Sequence, residues 1–140
     1  DPHNVGAILR SAAAFGATAV VVQDRHSPPL SGVLTKTASG AADIVPYVPV
    51  VNISRTLADL TEQGFNVAGL AEEAERTLAE TDMNGDAALV FGAEGEGLRR
   101  LTREYCDVLV KLPTAPAMPS LNVSNAVAIA LYDLAGRRKK

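Results

Sequence analysis

The sequence predicts an α/β fold: a parallel sheet with helices on both faces. Three observations lead there. Short apolar runs, the first of them rich in β-branched side chains, alternate with longer stretches of helical periodicity along the 140-residue chain. Glycines and prolines punctuate most of the junctions. The apolar fraction, 47%, is that of a globular chain, and with three Phe, three Tyr and no Trp the core must be built from Ala, Val, Leu and Ile. At this length one domain, residues 1–140, is expected.

The elements follow in order. Asp1-Pro2 suits a helix start, a capping carboxylate before a first-turn proline. Val5, Ile8, Leu9 and Ala12 continue at helical spacing until Gly16. "TAVVVQ", 18–23, reads as a strand, and Pro28-Pro29 as a loop. Residues 31–43 are weakly helical, ending near Gly40, and Pro46 and Pro49 frame a short extended piece. Ile53, Leu57 and Leu60 make one face of a helix over 53–63, stopped by Gly64. "FNVAGL", 65–70, is a strand; the polar stretch 71–86 reads as a surface segment; "AALVF", 87–91, is a strand. A helix over 98–105 is expected to turn Leu98 and Leu101 inward. "DVLVKL", 107–112, is a strand, and "PTAPAMPSLN", 113–122, a loop. The last helix, 123–136, is apolar over most of its circumference, which asks for burial on more than one side, as a partner subunit would provide.

Composition excludes several classes. No apolar run approaches the roughly 20 residues that span a bilayer, and no signal-peptide pattern opens the chain. A cytoplasmic protein that is not embedded in a membrane is expected. The single cysteine, Cys106, permits no internal disulfide, and no metal-ligand spacing is present, so no metal is expected. Cys106 reads as a small buried residue. The net charge of −3 argues against binding nucleic acid by bulk charge. Local basic clusters remain at Arg99, Arg100 and Arg103 and at Arg137 to Lys140; alone they read as solvated surface. The chain opens on Asp1 without a methionine and reads as a piece of a longer protein.

Three segments carry candidate chemistry. In "FGAEGEGLRR" the glycines match neither the dinucleotide fingerprint nor the P-loop, because Arg100 and Leu98-Arg99 stand where those motifs need Gly and Lys-Ser/Thr. Glu94 and Glu96 would also repel a phosphate, which wants backbone N–H groups and a cation. The loop suits a ligand with hydroxyls, amines or a positive centre, and by itself it suits a plain glycine turn equally well. In "DPHNVGAILRSAAAFG", Arg10 lies off the apolar stripe and Asn4 near the helix start; a solvated arginine and a cap are the ordinary explanations. In "MPSLNVSNAVA", Ser120, Asn122, Ser124 and Asn125 gather at a loop–helix junction, where Ser and Asn commonly cap.

Taken together, "DPHNVGAILRSAAAFG", "LVFGAEGEGLRRLTREYCD" and "SLNVSNAVAIALY" resemble the three ordered motifs of the SpoU/TrmH family of RNA ribose 2′-O-methyltransferases. "KTASGAADIVPYVPVVN" resembles its linker between the first two motifs. The resemblance covers essentially the whole chain and is greatest to the branch that modifies a guanosine of large-subunit (23S) ribosomal RNA. It implies a SPOUT fold with a C-terminal trefoil knot, against the general rule that chains avoid knots. It also implies S-adenosylmethionine as cofactor, a homodimer, RNA as partner, and a separate N-terminal RNA-binding extension absent here. Carried over by position, the cofactor contacts fall on Gly92, Leu112 and Leu121. The catalytic position falls on Arg10, with Asn4 beside it, and Glu94, Ser120 and Asn122 match the other polar positions. Because a guanidinium stays protonated, a role in binding the RNA phosphate or the developing alkoxide suits Arg10 better than that of a base. The chain departs from the family in "TAPAMPS", poorer in glycine than usual, and in Asn125, where an apolar residue is common. A transfer-RNA methyltransferase and a non-catalytic knotted module that binds RNA or a ligand are the alternatives.

Overall fold

The structure is a computed structural model that describes residues 2–24, 40–92 and 97–138, with the backbone alone at Pro2 and His3. Asp1, the loop at Pro28-Pro29, the helical stretch expected before Gly40, Glu94, Glu96 and the last two lysines lie outside these residues. The chain divides into two compact units, residues 1–51 with 124–140, and residues 52–123.

In the first unit, helix α1 spans Pro2–Ala14. Its apolar stripe puts Leu9 and Ala12 out of reach of solvent, and it ends where Gly16 takes a φ of 76°. Strand β1, Val20–Gln23, pairs in parallel with β2, Tyr47–Val50, from Val20 opposite Tyr47 to Gln23 opposite Val50. Pro49 sits inside β2, which a strand with one hydrogen-bonded neighbour among the described residues tolerates. Between the strands, Gly40 at φ 82° leads into a short 3-10 turn, Ala41–Asp43. Leu9 and Ala41 centre a cluster with Val5, Ala13, Val20, Ala42 and Tyr47. Helix α4, Val123–Arg138, buries Val127, Ala130 and Leu134, one stripe at helical spacing. Ile129 and Tyr132 stay exposed, and Phe15 meets Tyr132 edge-on with ring centroids 5.8 Å apart.

In the second unit, helix α2 spans Ile53–Glu62; the Asn52 side chain caps it by accepting from the Arg55 N–H, and Gly64 at φ 94° follows its end. Next come β3, Asn66–Leu70; β4, Arg76–Thr77; β5, Ala87–Val90; helix α3, Arg100–Glu104; and β6, Val108–Lys111. The strand order is β4-β6-β3-β5 and every pairing is parallel. The last strand of the unit is thus inserted between two earlier ones. Val67, Ala68 and Val110 are almost fully buried, as the inner strands of a covered parallel sheet require. Helix α2 packs against β3 and α3.

Among the described residues the strands form two parallel ladders, β1-β2 and β4-β6-β3-β5. Two expectations change. The stretch 71–86 is not simply surface: it supplies edge strand β4 and buries Ala74, Leu78, Thr81 and Met83. Its polar residues mask four inward positions whose spacing fits no single period. Helix α3 starts at Arg100, after Leu98, so Leu98 is 7% exposed while Leu101 is 54% exposed and faces out. The shorter helix no longer places the two leucines on one face.

Candidate functional site at the carboxyl ends of the second sheet

In open parallel sheets ligands bind outside the carboxyl ends of the strands. Strands β5 and β6 flank β3, so Phe91-Gly92 and Leu112 leave the sheet at its carboxyl end, on either side of Leu70-Ala71. Two strand spacings put the β5 and β6 exits roughly 10 Å apart. This placement rests on register. At the start of β6, the Asp107 carboxylate accepts a hydrogen bond from the Val67 N–H at 2.8 Å, and the Asp107 N–H donates to the Val67 carbonyl at 2.8 Å. At the far end, the Ala71 N–H donates to the Val110 carbonyl at 2.9 Å. A one-residue slip of β6 would break all three bonds.

Gly92 meets the backbone of Gly97 and Leu98. A Cβ at 92 would overlap the Gly97 carbonyl group and come within 2.5 Å of the Leu98 nitrogen. The glycine loop is therefore closed at its neck. Gly97 contributes differently: its φ is 70°, and no described atom lies within 4 Å of the position where a Cβ would sit. The chain's own backbone thus requires glycine at 92. Glu94, the polar position in this loop, lies outside the described residues.

Leu112 is half-buried as β6 ends, and residues 113–122 are all exposed. That segment is organised by its own turns, with the Met118 N–H on the Ala115 carbonyl at 3.0 Å and the Thr114 hydroxyl on the Pro119 carbonyl at 3.1 Å. Ser120, Leu121 and Asn122 form its final stretch before α4. The second unit thus carries Gly92, Leu112, Ser120, Leu121 and Asn122. Asn4 and Arg10 belong to the first unit, on α1, Asn4 half-buried and Arg10 exposed.

One residue that shapes this unit escaped the sequence reading. Gly69, inside β3, is packed so closely that a Cβ there would fall 2.8 Å from the Cys106 sulfur, 2.8 Å from a Leu98 methyl and 3.0 Å from a Leu109 methyl. An isolated glycine within an apolar strand was the available signal. Burial, and then the neighbouring Asp107 charge, push the Cys106 thiol above its ordinary value. It stays protonated near neutral pH, a packed thiol that donates to the Thr102 carbonyl at 3.4 Å and not a nucleophile. Of the arginines after the loop, Arg103 pairs with Glu73. The Glu73 carboxyl is held below the ordinary range by its own backbone N–H and by Arg103. Among the described residues no group of three or more His, Cys, Asp or Glu is placed to hold a metal, and no helix is long and apolar enough to cross a membrane.

The residues expected to hold S-adenosylmethionine fit such a group. Strand ends offer backbone N–H and C=O beyond the ladder, and Leu112 and Leu121 offer apolar contact for an adenosine.

The SpoU rRNA Methylase family matches residues 1–132. A Pseudomonas putida protein named 23S rRNA (guanosine-2′-O-)-methyltransferase RlmB is 49% identical over 139 residues, covering 99% of this chain and 56% of its own. A protein of the same name from Xanthomonas campestris pv. campestris is 51% identical over 138 residues, covering 99% and 55%. The chain spans about half the length of the curated relatives it matches. Among solved structures, the SpoU methyltransferase AviRb from Streptomyces viridochromogenes, in complex with the cofactor AdoMet, superposes with a TM-score of 0.91 at 26% identity, over 99% of this chain and 56% of that one.

Proposed function

Because the chain belongs to the SpoU rRNA methylase family, we propose that it transfers a methyl group from S-adenosylmethionine to a ribose 2′-hydroxyl of RNA, a guanosine of 23S rRNA. The observation that carries this reading is the likeness, along nearly the whole chain, to proteins named for that reaction. The geometry supports it with a ligand-ready carboxyl edge bounded by Gly92 and Leu112. Residues 1–140 are read as the catalytic domain of a longer protein, a cytoplasmic homodimer whose C-terminal part is threaded through a trefoil knot. The exposed Ile129 and Tyr132 on α4 suit a subunit contact.

Gly92, Leu112 and Leu121 would hold the cofactor, through strand-end backbone groups and apolar walls. When bound, it supplies an electrophilic methyl on a sulfonium. The protein then has to position the ribose oxygen in line and help a weak acid lose its proton. Arg10 holds the RNA phosphate or the developing alkoxide; a permanent cation stabilises that charge without taking the proton. Asn4, Glu94, Ser120 and Asn122 orient the sugar and its hydroxyl.

The decisive experiment offers labelled S-adenosylmethionine with unmodified 23S rRNA or transfer RNA. Label on 23S rRNA is expected. Label on transfer RNA alone would move the substrate, and cofactor binding without transfer to either RNA would favour a non-catalytic module. Arg10→Ala should lose roughly 10²–10³-fold in rate with cofactor affinity kept. A near wild-type rate would remove Arg10 from the site.

A further inference from the structure

The two arginines directly after the glycine loop are placed badly for folding. Arg99 occupies the N-cap position of α3 and makes no side-chain capping bond. Ser, Thr, Asp or Asn would satisfy a helix N–H there. Arg100 opens the helix, whose first turn carries no acid. Cations at a helix start oppose the partial positive charge of its free N–H groups. Among the described residues the Arg100 guanidinium pairs with Glu104, at 3.6 Å, with its side chain 95% exposed. An acid four residues after the base is the weaker order for such a pair, and exposed pairs of this kind contribute little. Arg103 differs: it lies in the last turn, where a cation is favoured, and pairs with Glu73. Thus one arginine of the three stabilises the fold, and two are held outward at some local cost.

Their position gives the cost a purpose. Leu98, buried in the second unit, anchors the chain immediately before them, and Gly97 closes the loop whose neck is Gly92. Arg99 and Arg100, both exposed, therefore follow directly on the glycine loop that leaves the carboxyl end of β5. The chain as a whole is acidic, with a net charge of −3, so a polyanion has to be gripped by local cations. We propose that Arg99 and Arg100 form an RNA-backbone clamp, each guanidinium binding a phosphate beside the nucleotide presented to the site. The inference rests on the RNA 2′-O-methyltransferase reading and adds to it the surface that seats the substrate. Phosphate contacts of this kind set register and orientation rather than base choice.

The test compares the wild-type protein with Arg99→Gln/Arg100→Gln and Arg99→Lys/Arg100→Lys, measuring KM for RNA, kcat, the salt dependence of RNA binding and the Kd for S-adenosylmethionine. For the glutamine pair the slope of log K against log salt should fall by about 1.5–2 in magnitude, the loss of two phosphate contacts. KM for RNA should rise about ten-fold or more, while cofactor Kd stays within two-fold. The lysine pair should recover most of the salt slope, since charge rather than fork geometry sets it. Wild-type activity with unchanged KM and slope in the glutamine pair overturns the clamp and leaves the methyltransferase reading standing. Loss of cofactor binding in both pairs overturns it too, by assigning the arginines to the fold. A wild-type protein that neither binds nor methylates RNA overturns the reading and the clamp together.

Discussion

Gly92→Ala isolates the idea that the glycine loop is closed at its neck by backbone contact. The added methyl meets the Gly97 carbonyl group and lies 2.5 Å from the Leu98 nitrogen. These are backbone atoms and cannot turn aside as the end of a side chain would. Relief requires Gly97-Leu98 to shift, and Leu98 is buried at 7% exposure. Overpacking of this kind costs about 1–3 kcal/mol, and the upper half of the range applies because the obstacle is main chain. For a chain of this size that is a fall in Tm of roughly 6–12 °C. The assay is chemical and thermal unfolding of wild type, Gly92→Ala and Gly97→Ala, with cofactor titration on each. Gly97→Ala meets no atom of the described residues but forces alanine into a left-handed φ, for about 1–2 kcal/mol. Gly97→Asn should recover part of that loss, as asparagine tolerates this conformation; Gly92→Asn should recover nothing. Gly92→Ala within 0.5 kcal/mol of wild type would refute the closed neck.

Three further outcomes follow from the same geometry. Leu98→Ala should cost about 2–5 kcal/mol, and Leu101→Ala, on the exposed side of α3, under about 0.5 kcal/mol in denaturant unfolding; equal losses would contradict the start of α3 at Arg100. Asp107→Ala leaves the Val67 N–H without its acceptor and should cost about 1–3 kcal/mol, with Asp107→Asn milder because the amide oxygen still accepts; hydrogen exchange at Val67 reads the loss directly. The Glu80 carboxyl is held below its ordinary 4.5, first by the Thr77 backbone N–H and then by the Thr77 hydroxyl. A lowered folded-state pKa adds stability that is present above the unfolded value and disappears as pH falls through the folded one. Stability of wild type relative to Glu80→Gln should therefore be constant near neutrality and shrink below about pH 4.5; a difference that persists in strong acid would disprove the hydrogen bonds from Thr77 to the Glu80 carboxylate.

Much of this protein is local and so was open to reading in one dimension. Helices α1, α2 and α4 follow from apolar residues at helical spacing and from stops at Gly16 and Gly64. Strands β1, β3, β5 and β6 follow from short apolar runs, each within two residues of its expected start. The three motifs were likewise visible, because their residues are contiguous in the chain. Strand order was not. Nothing in "DVLVKL" says that β6 slips between β3 and β4; hydrogen bonds exchanged between Asp107 and Val67, 40 residues away, help decide that. With the order comes the site edge, since Gly92 and Leu112 share it only if β5 and β6 flank β3. The burial of Leu78 and Met83 within a polar stretch is likewise absent from any local period of the sequence. So are the different demands on Gly92 and Gly97, identical residues in the sequence, one set by the backbone it touches and the other by the φ it adopts. Periodicity and capping determined which segments became helix and strand. Contacts between distant segments decided which of their ends share an edge of the sheet, and so where the candidate site lies.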